Sequence, residues 1–439
     1  LVPQRGIFVE LLDILKSVTE DKDVLVLGYG REGQSSLKRI LEAGTYRSLT
    51  VSDKRDVSAE LPAGIGCISG EAYQDTLNDY DIVFKTPGIV LDKDISQYDC
   101  EITSEAEIFT EAYRDRIIGI TGTKGKSTTS SLLYHVLKEA GVDAVFAGNI
   151  GIPVFDIAEN IGPETVVVIE LSCHQLEYIK TSPHKAILLN VYEDHLDHYG
   201  TREKYGLAKK NIYRHQKEED FLYTLPEVTA EWGSAPSKTV YVSADDCPVK
   251  SFEEYKDIKL KGAHNLLNAS FVYDVAREYG VSESTFIEAL KTFEPLPHRL
   301  EYAGRFKGVD FYDDSISTTV KSAISAVESI KNSAVLLVGG MERNIDYEEL
   351  VEYVSKSRLK YLICMYESGA RIYDMYERID KKEDAPKAFK VTDLEEAVAL
   401  SFDKAGEGEA VLLSPAAASY GYFKNFEERG NVFKMLIKK

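Results

Sequence analysis

Short apolar runs ending in glycine or polar residues alternate along the chain with stretches whose apolar residues recur at helical spacing. That alternation predicts stacked β-α-β units on parallel sheets. In the first hundred residues "DVLVLG", "SLTVSD" and "DIVFKTPG" read as strands, and "SEAEIFTEAY" reads as a helix. A second series follows in "RIIGITG", "VDAVFAGN", "TVVVIELS" and "KAILLNVY". A third opens after "FEPLPHRLE" with "VDFYDDS", "SAVLLVGG", "LKYLICM" and "AVLLSPA". The expected fold class is α/β, in three domains spanning 1–100, 101–299 and 300–439. Ligands of open parallel sheets gather beyond the carboxyl ends of strands, so the loops after these runs carry the interest.

Composition narrows the classes. The chain has 439 residues, too many for one ordinary core, and its balance of apolar and charged residues is that of a soluble globular protein. A net charge of −20 argues against a nucleic-acid surface or attraction to anionic lipid, while leaving room for a local basic pocket. No apolar run reaches the about 18 residues of a membrane span, and no cleavable signal is read at the start. Five scattered cysteines (Cys67, Cys100, Cys173, Cys247 and Cys364) form no C-x-x-C pair, so reduced thiols and a cytoplasmic location are expected.

Two glycine-rich loops compete to define the chemistry. "GYGREG", Gly28 to Gly33, follows an apolar strand, and Asp53 closes the next one; alone, this is a dinucleotide fingerprint. "ITGTKGKSTT" is the stronger signal. Gly122, Thr123, Lys124 and Gly125 link an apolar strand to a helix that opens with Lys126, Ser127 and Thr128. Glycines turn backbone N–H groups toward phosphate oxygens, Lys126 suits the β/γ-phosphates and the Ser127 hydroxyl suits Mg²⁺. Ile120 stands where the usual motif has its first glycine. Glu170 ends the run "TVVVIE", where a metal-binding carboxylate is wanted; an acid in such a place is otherwise a solvated loop residue.

Weaker signals lie downstream. Glu193, Asp194, His195, Asp197 and His198 crowd one loop, and four of the eight histidines (His174, His184, His195 and His198) fall in one short region. That density suits a metal or a proton-transfer site, though the spacing is not that of structural zinc. His264, Asn265 and Asn268 open a helix, where asparagine is also a common cap, and Arg299 stands in a linker, where it could reach a phosphate or form a surface ion pair.

In this order, TGTKGKST, ELSCHQLE, NVYEDHLDHY, AKKNIY, GAHNLLN, HRLE and the tail "LLSPAAASYGYFKNFEERGNVF" resemble the Mur ligase family over essentially the whole chain. The tail is closest to the glutamate-adding members. The resemblance implies a Rossmann-like N-terminal domain for a uridine nucleotide, a central P-loop ATPase with a mostly parallel sheet, and a Rossmann-like C-terminal domain. It implies an ATP-dependent amide ligase of peptidoglycan synthesis that adds D-glutamate to UDP-N-acetylmuramoyl-L-alanine through an acyl phosphate. Carried over, Lys126 binds the triphosphate, Ser127 and Glu170 hold a first Mg²⁺, and His195 belongs with a second Mg²⁺ and the acyl-phosphate region. Lys209 matches a lysine that the family carbamylates into a metal-bridging anion, with Lys210 beside it. Asn265, Arg299 and Asp314 match nucleotide-contacting positions. The uridine nucleotide falls to Gly30, Arg31, Glu32, Asp53, Lys54, Arg55 and Gly88, with Asn149 and His195 contacting the same substrate. The implied protein is a monomer with small-molecule substrates, closing around them to keep water from the acyl phosphate.

One departure bears on the amino acid. Familiar glutamate-adding relatives carry D-S-K where this chain has Asp314, Ser315 and Ile316, which removes a cation that would pair with a substrate carboxylate. Arg343 stands near another cationic position, and Thr318, Ser419 and Phe426 still match the amino-acid pocket. L-glutamate is therefore the main rival to D-glutamate. A P-loop small-molecule kinase would explain Lys126 and Glu170 but leave the N-terminal fingerprint and the tail without a role.

Overall fold

The computed structural model describes residues 8–149, 151–255, 257–260, 262–343 and 345–439. Its strands form three sheets. The first contains β1 (Asp23–Leu27), β2 (Ser48–Asp53), β3 (Gly66–Ser69), β4 (Ile82–Lys85) and β5 (Glu101–Thr103), all parallel in the order β3-β2-β1-β4-β5. The second contains β6 (Ile117–Thr121), β7 (Ala144–Gly148), β8 (Val166–Glu170), β9 (Lys185–Leu188), β10 (Phe221–Thr224) and β11 (Lys238–Tyr241). It is again parallel, in the order β11-β10-β9-β6-β8-β7. The third contains β12 (Glu301–Phe306), β13 (Val309–Asp313), β14 (Ser333–Val338), β15 (Tyr361–Met365), β16 (Lys387–Val391) and β17 (Ala410–Leu413). Its order is β12-β13-β17-β14-β15-β16, and only the edge pair β12–β13 is antiparallel.

The central strands are buried on both faces, which is why they read as apolar runs rather than alternations. On β1, Val24 and Val26 pack into one core and Leu25 and Leu27 into another. On β14, Leu336 and Val338 face one core and Val335 and Leu337 the other. Sheet order reverses around β1 and around β6, so the loops leaving these strands open into the crevices where ligands of such sheets bind. Those loops are "GYGREG" and "GTKGKS".

The chain divides into two compact units, residues up to 250 with 264–293, and residues 251–263 with 294–439. The first unit therefore holds two sheets, and polar clamps join them. Arg39, 1% exposed, donates to the Phe155 carbonyl at 3.1 and 3.2 Å and pairs with Glu42 and Glu159. Buried Glu105 accepts from the Phe155 amide at 2.8 Å, and Ser35 donates to Asp156 at 2.8 Å. All five cysteines are free thiols, and among the described residues no helix is long and apolar enough to cross a membrane.

Candidate functional site

The phosphate-type loop leaves β6 and enters the helix Lys126–Glu139. Asn190, just past β9, braces it: its Oδ1 accepts from the amides of Thr123 (3.0 Å) and Lys124 (2.9 Å), and its Nδ2 donates to the Lys124 carbonyl (3.0 Å). Tyr205 and Tyr192 fix the Thr123 hydroxyl, at 3.0 and 2.9 Å. Gly125 must be glycine twice over. Its φ is +88°, and a Cβ there would lie 2.6 Å from Asn268 Oδ1. Asn268 in turn donates to Asn265 Oδ1 at 3.0 Å. The pair lies inside the helix Ala263–Ala276 and against the loop, so the capping alternative for these asparagines does not hold.

Two ammonium groups converge on one oxygen. Lys126 Nζ donates to the Gly122 carbonyl at 2.9 Å and to the Thr123 carbonyl at 3.3 Å, and Lys209 Nζ donates to the same Gly122 carbonyl at 2.9 Å. Burial of Lys209, and then the charge of Lys126, push its pKa down to about 7. Lys209, not its half-buried neighbour Lys210, reaches the loop. Glu170 ends β8 at 1% exposure, accepting from Asn149 Nδ2 at 2.8 Å and from Ser130 Oγ at 3.5 Å. It is thus no solvated loop residue. Thr128 is buried and Ser127 half-buried in the first helical turn.

The oxygen donors of Ser127 and Glu170 suit a hard divalent cation, to which His195 would add one nitrogen. Two cations sharing one carbonyl beside a buried carboxylate also suit an anion placed among them. Three of the four clustered histidines meet: the His174 ring lies 5.0 Å from that of His195 and 4.3 Å from that of His198. Burial and these neighbours lower the His174 pKa to about 3. His184 is elsewhere, bonded to Asp220 at 2.8 Å. The Asp197 side chain lies outside the described residues.

The fingerprint loop belongs to the same unit. A Cβ on Gly33 would sit 2.0 Å from the Gly28 carbonyl oxygen, so only glycine lets the helix Arg31–Ala43 pack this close to β1. Gly30 and Gly88 are exposed, with no atom within 4 Å of where a Cβ would stand. Asp53 accepts from the amides of Tyr29 (2.7 Å) and Arg55 (2.8 Å). Burial works against its charge, but these donors and the Arg55 guanidinium hold its pKa below the usual carboxylate value. Asp53 thus shapes the loop as well as ending β2. Exposed Lys54 pairs with Glu71 at 2.9 Å, and Arg31 donates to the Gly151 carbonyl at 3.5 Å. Glu32 accepts from Gln175 at 2.8 Å, linking this loop to "ELSCHQLE"; burial lifts its pKa to about 7. Glu32, Lys85, Ser104, His174 and Gln175 line a small cavity there.

In the second unit, loops after β13, β14 and β17 gather around one side chain. Arg429, fully buried, donates to Ser315 Oγ (2.9 Å), to the Ser315 carbonyl (2.7 Å) and to the Ala417 carbonyl (3.1 Å). Ser315 Oγ donates onward to the Phe426 carbonyl at 2.8 Å. Asp314 accepts from Ser414 Oγ at 2.6 Å and from the Leu300 amide at 3.1 Å, next to Arg299; burial raises its pKa to about 6. Ile316 and Thr318 are half-buried, Ser419 is buried, and exposed Arg343 lies over the Tyr420 ring at 5.9 Å. His298 bonds to Asp313 at 2.7 Å and turns the linker that carries Arg299.

Asn190, Gln175, Lys85 and Arg429 were not singled out by sequence reasoning. Asn190 and Arg429 have partners distant in the chain, and Lys85 meets Glu177 only through the fold, so nothing local marked them. Gln175 did carry a local signal, the capping box it forms with Ser172, but its bond to Glu32 comes from the fold. Asn190, which opens "NVYEDHLDHY" at a strand end, had the best signal.

Comparison with known proteins identifies the family. The family model of the Mur ligase middle domain matches residues 120–246, and that of the Mur ligase glutamate ligase domain matches residues 298–417. A UDP-N-acetylmuramoylalanine–D-glutamate ligase of Acetivibrio thermocellus is 34% identical over 97% of this chain and 98% of its own. One of Aquifex aeolicus is 34% identical over 94% and 98%. The solved MurF ligase of Thermotoga maritima, in complex with ADP, shares the fold at TM-score 0.60 and 19% identity, covering 97% of this chain and 99% of that one. With relatives this similar over nearly their whole length, the chain belongs to the Mur ligase family.

Proposed function

We propose that the protein joins D-glutamate to UDP-N-acetylmuramoyl-L-alanine, converting ATP to ADP and phosphate. The observation that carries this reading is the 34% identity to D-glutamate ligases over nearly the full chain. The substrate carboxylate attacks the γ-phosphorus and ADP leaves, giving an acyl phosphate. The amine nitrogen of glutamate then attacks the acyl carbon, loses a proton, and the carbon–oxygen bond to phosphate breaks.

The chain's part is positioning and charge. Lys126 and the loop amides take the triphosphate, with Gly122, Thr123, Lys124, Gly125 and Thr128 around it; Asn265, Arg299 and Asp314 contact the nucleotide. Ser127, Glu170 and His195 would hold Mg²⁺, which neutralises phosphate charge when bound. Lys209 is read as carbamylated, which turns one of two crowded cations into an anion; labelled bicarbonate should give a carbamate resonance that Lys209→Arg lacks. Gly30, Arg31, Glu32, Asp53, Lys54, Arg55, Gly88 and Asn149 serve the uridine-nucleotide substrate. Thr318, Arg343, Ser419 and Phe426 serve glutamate, with Arg343 supplying the charge that Ile316 does not. The protein is read as a cytoplasmic monomer, to be checked by sedimentation at 49.1 kDa.

The test is phosphate release with ATP, Mg²⁺ and UDP-N-acetylmuramoyl-L-alanine, with D- and L-glutamate in parallel. Turnover with D-glutamate alone is expected. Turnover with L-glutamate alone would keep the mechanism and overturn the substrate, L-glutamate being the main rival once Ile316 replaces the lysine. Stable phosphate transfer without release would indicate a kinase.

A further inference from the structure

The histidine cluster is only partly absorbed by this reading. His195 has a place in it; His174 and His198 do not. His174 lies in the short helix Cys173–Leu176 after β8, Glu177 directly follows that helix, and His198 lies in the short helix Leu196–Tyr199 after β9. One ligand atom from each of His174, Glu177 and His198 falls within 4.8 Å of the other two. His198 Nε2 and Glu177 Oε2 are 3.2 Å apart. The two are hydrogen-bonded as they stand, and the same spacing is that of a tetrahedron edge, close to 3.3 Å for metal–ligand bonds of about 2.0–2.1 Å, so an ion can replace the shared proton without moving them far. The three are half-buried, so an ion would be partly shielded yet keep a route to solvent. Tyr199 OH stands 3.5 Å from His174 Nδ1, a support of the kind that orients a ligating imidazole. Lys85 Nζ lies 3.9 Å from Glu177 Oε2, so an ion bound there would share that carboxylate with the ammonium group.

We propose that His174, Glu177 and His198 form a binding site for a zinc-class divalent transition-metal ion, separate from the Mg²⁺ positions of the ligase reaction. Two imidazoles and one carboxylate favour zinc, cobalt or nickel over magnesium, which takes oxygen ligands and keeps its water. Bound there, the ion ties the segment after β8 to the segment after β9, one ring away from His195. The proposal does not depend on the identity of the amino acid or on the ligase reading.

Cys173, His174 and His195 form a competing triad that shares His174. The full chain, freed of metal with a chelator, is titrated with Co²⁺ in excess Mg²⁺ while visible d–d absorption is followed. One ion per chain is expected, with Zn²⁺ displacing it. His198→Gln and Glu177→Gln are each expected to weaken binding by at least about tenfold, and Glu170→Gln to leave it unchanged. Circular dichroism confirms that each variant is folded, and either folded variant alone decides the matter. No binding, or binding lost in Glu170→Gln, would overturn the site. A thiolate charge-transfer band that disappears in Cys173→Ser would move the ion to the competing triad and overturn this assignment too.

Discussion

Asp314 is a carboxyl group enclosed by its own fold, with Ser414 and the Leu300 amide as donors and Arg299 nearby. Burial raises its pKa from 3.8 to about 6, so in that window the folded protein holds a proton that the unfolded chain has released. By linkage its contribution to stability is greatest below pH 3.8 and is lost as pH rises to about 6. The expected result is that wild-type stability relative to Asp314→Asn falls by roughly 1–3 kcal/mol across that range, read from urea unfolding at several pH values. A flat difference would show that Asp314 ionises as freely folded as unfolded. The position is thus held at a cost, as expected of a residue kept for a ligand rather than for the core.

Among elements, the loops after β13 and β17 are held by one guanidinium. Arg429→Met leaves the Ser315 and Ala417 carbonyls without that donor, at a cost of about 3 kcal/mol. Because those loops lead to Thr318, Ser419 and Phe426, KM for glutamate should rise about tenfold while KM for ATP moves little, with Arg429→Lys in between. Equal changes in both constants would mean that Arg429 serves only the stability of its unit. This clamp was not legible in the sequence, whereas the loop it holds was. The phosphate-type loop, the metal-side carboxylate and the principal strands announce themselves in a few consecutive residues. Strands β3, β5, β11, β12 and β16 do not: they are short or half-exposed and lie at or near sheet edges, where burial writes no apolar run. β10 is interior, yet of its four residues, Phe221–Thr224, only Phe221 and Leu222 are strongly apolar, so it writes no clear run. Asn190 escapes for the reason Arg429 does, since its meaning lies in partners brought up by topology, and Gln175 shows in the sequence only as a helix cap, not as the partner of Glu32.

For the whole molecule, the proposed chemistry asks that ligands seated on separate sheets exchange a reactive acyl group without losing it to water. The solution-scattering profile is therefore expected to change when an ATP analogue and the uridine-nucleotide substrate are added together. Superimposable profiles would count against that expectation. A strongly negative molecule handling three anionic substrates must also place its cations locally, as it does with Lys126 at the phosphate-type loop.

The division into units has a consequence during synthesis. Residues 251–263, with Phe252, Ile258 and Leu260 buried, belong with a unit whose remaining residues begin only at 294. They leave the ribosome before any strand of that unit exists, and the residues that follow them, 264–293, return to the first unit. At about 5–20 residues per second, that segment waits roughly ten to thirty-five seconds for its partners. A nascent chain carries this apolar stretch through the interval apart from most of its own unit, so its emergence is a point at which a holding chaperone would matter.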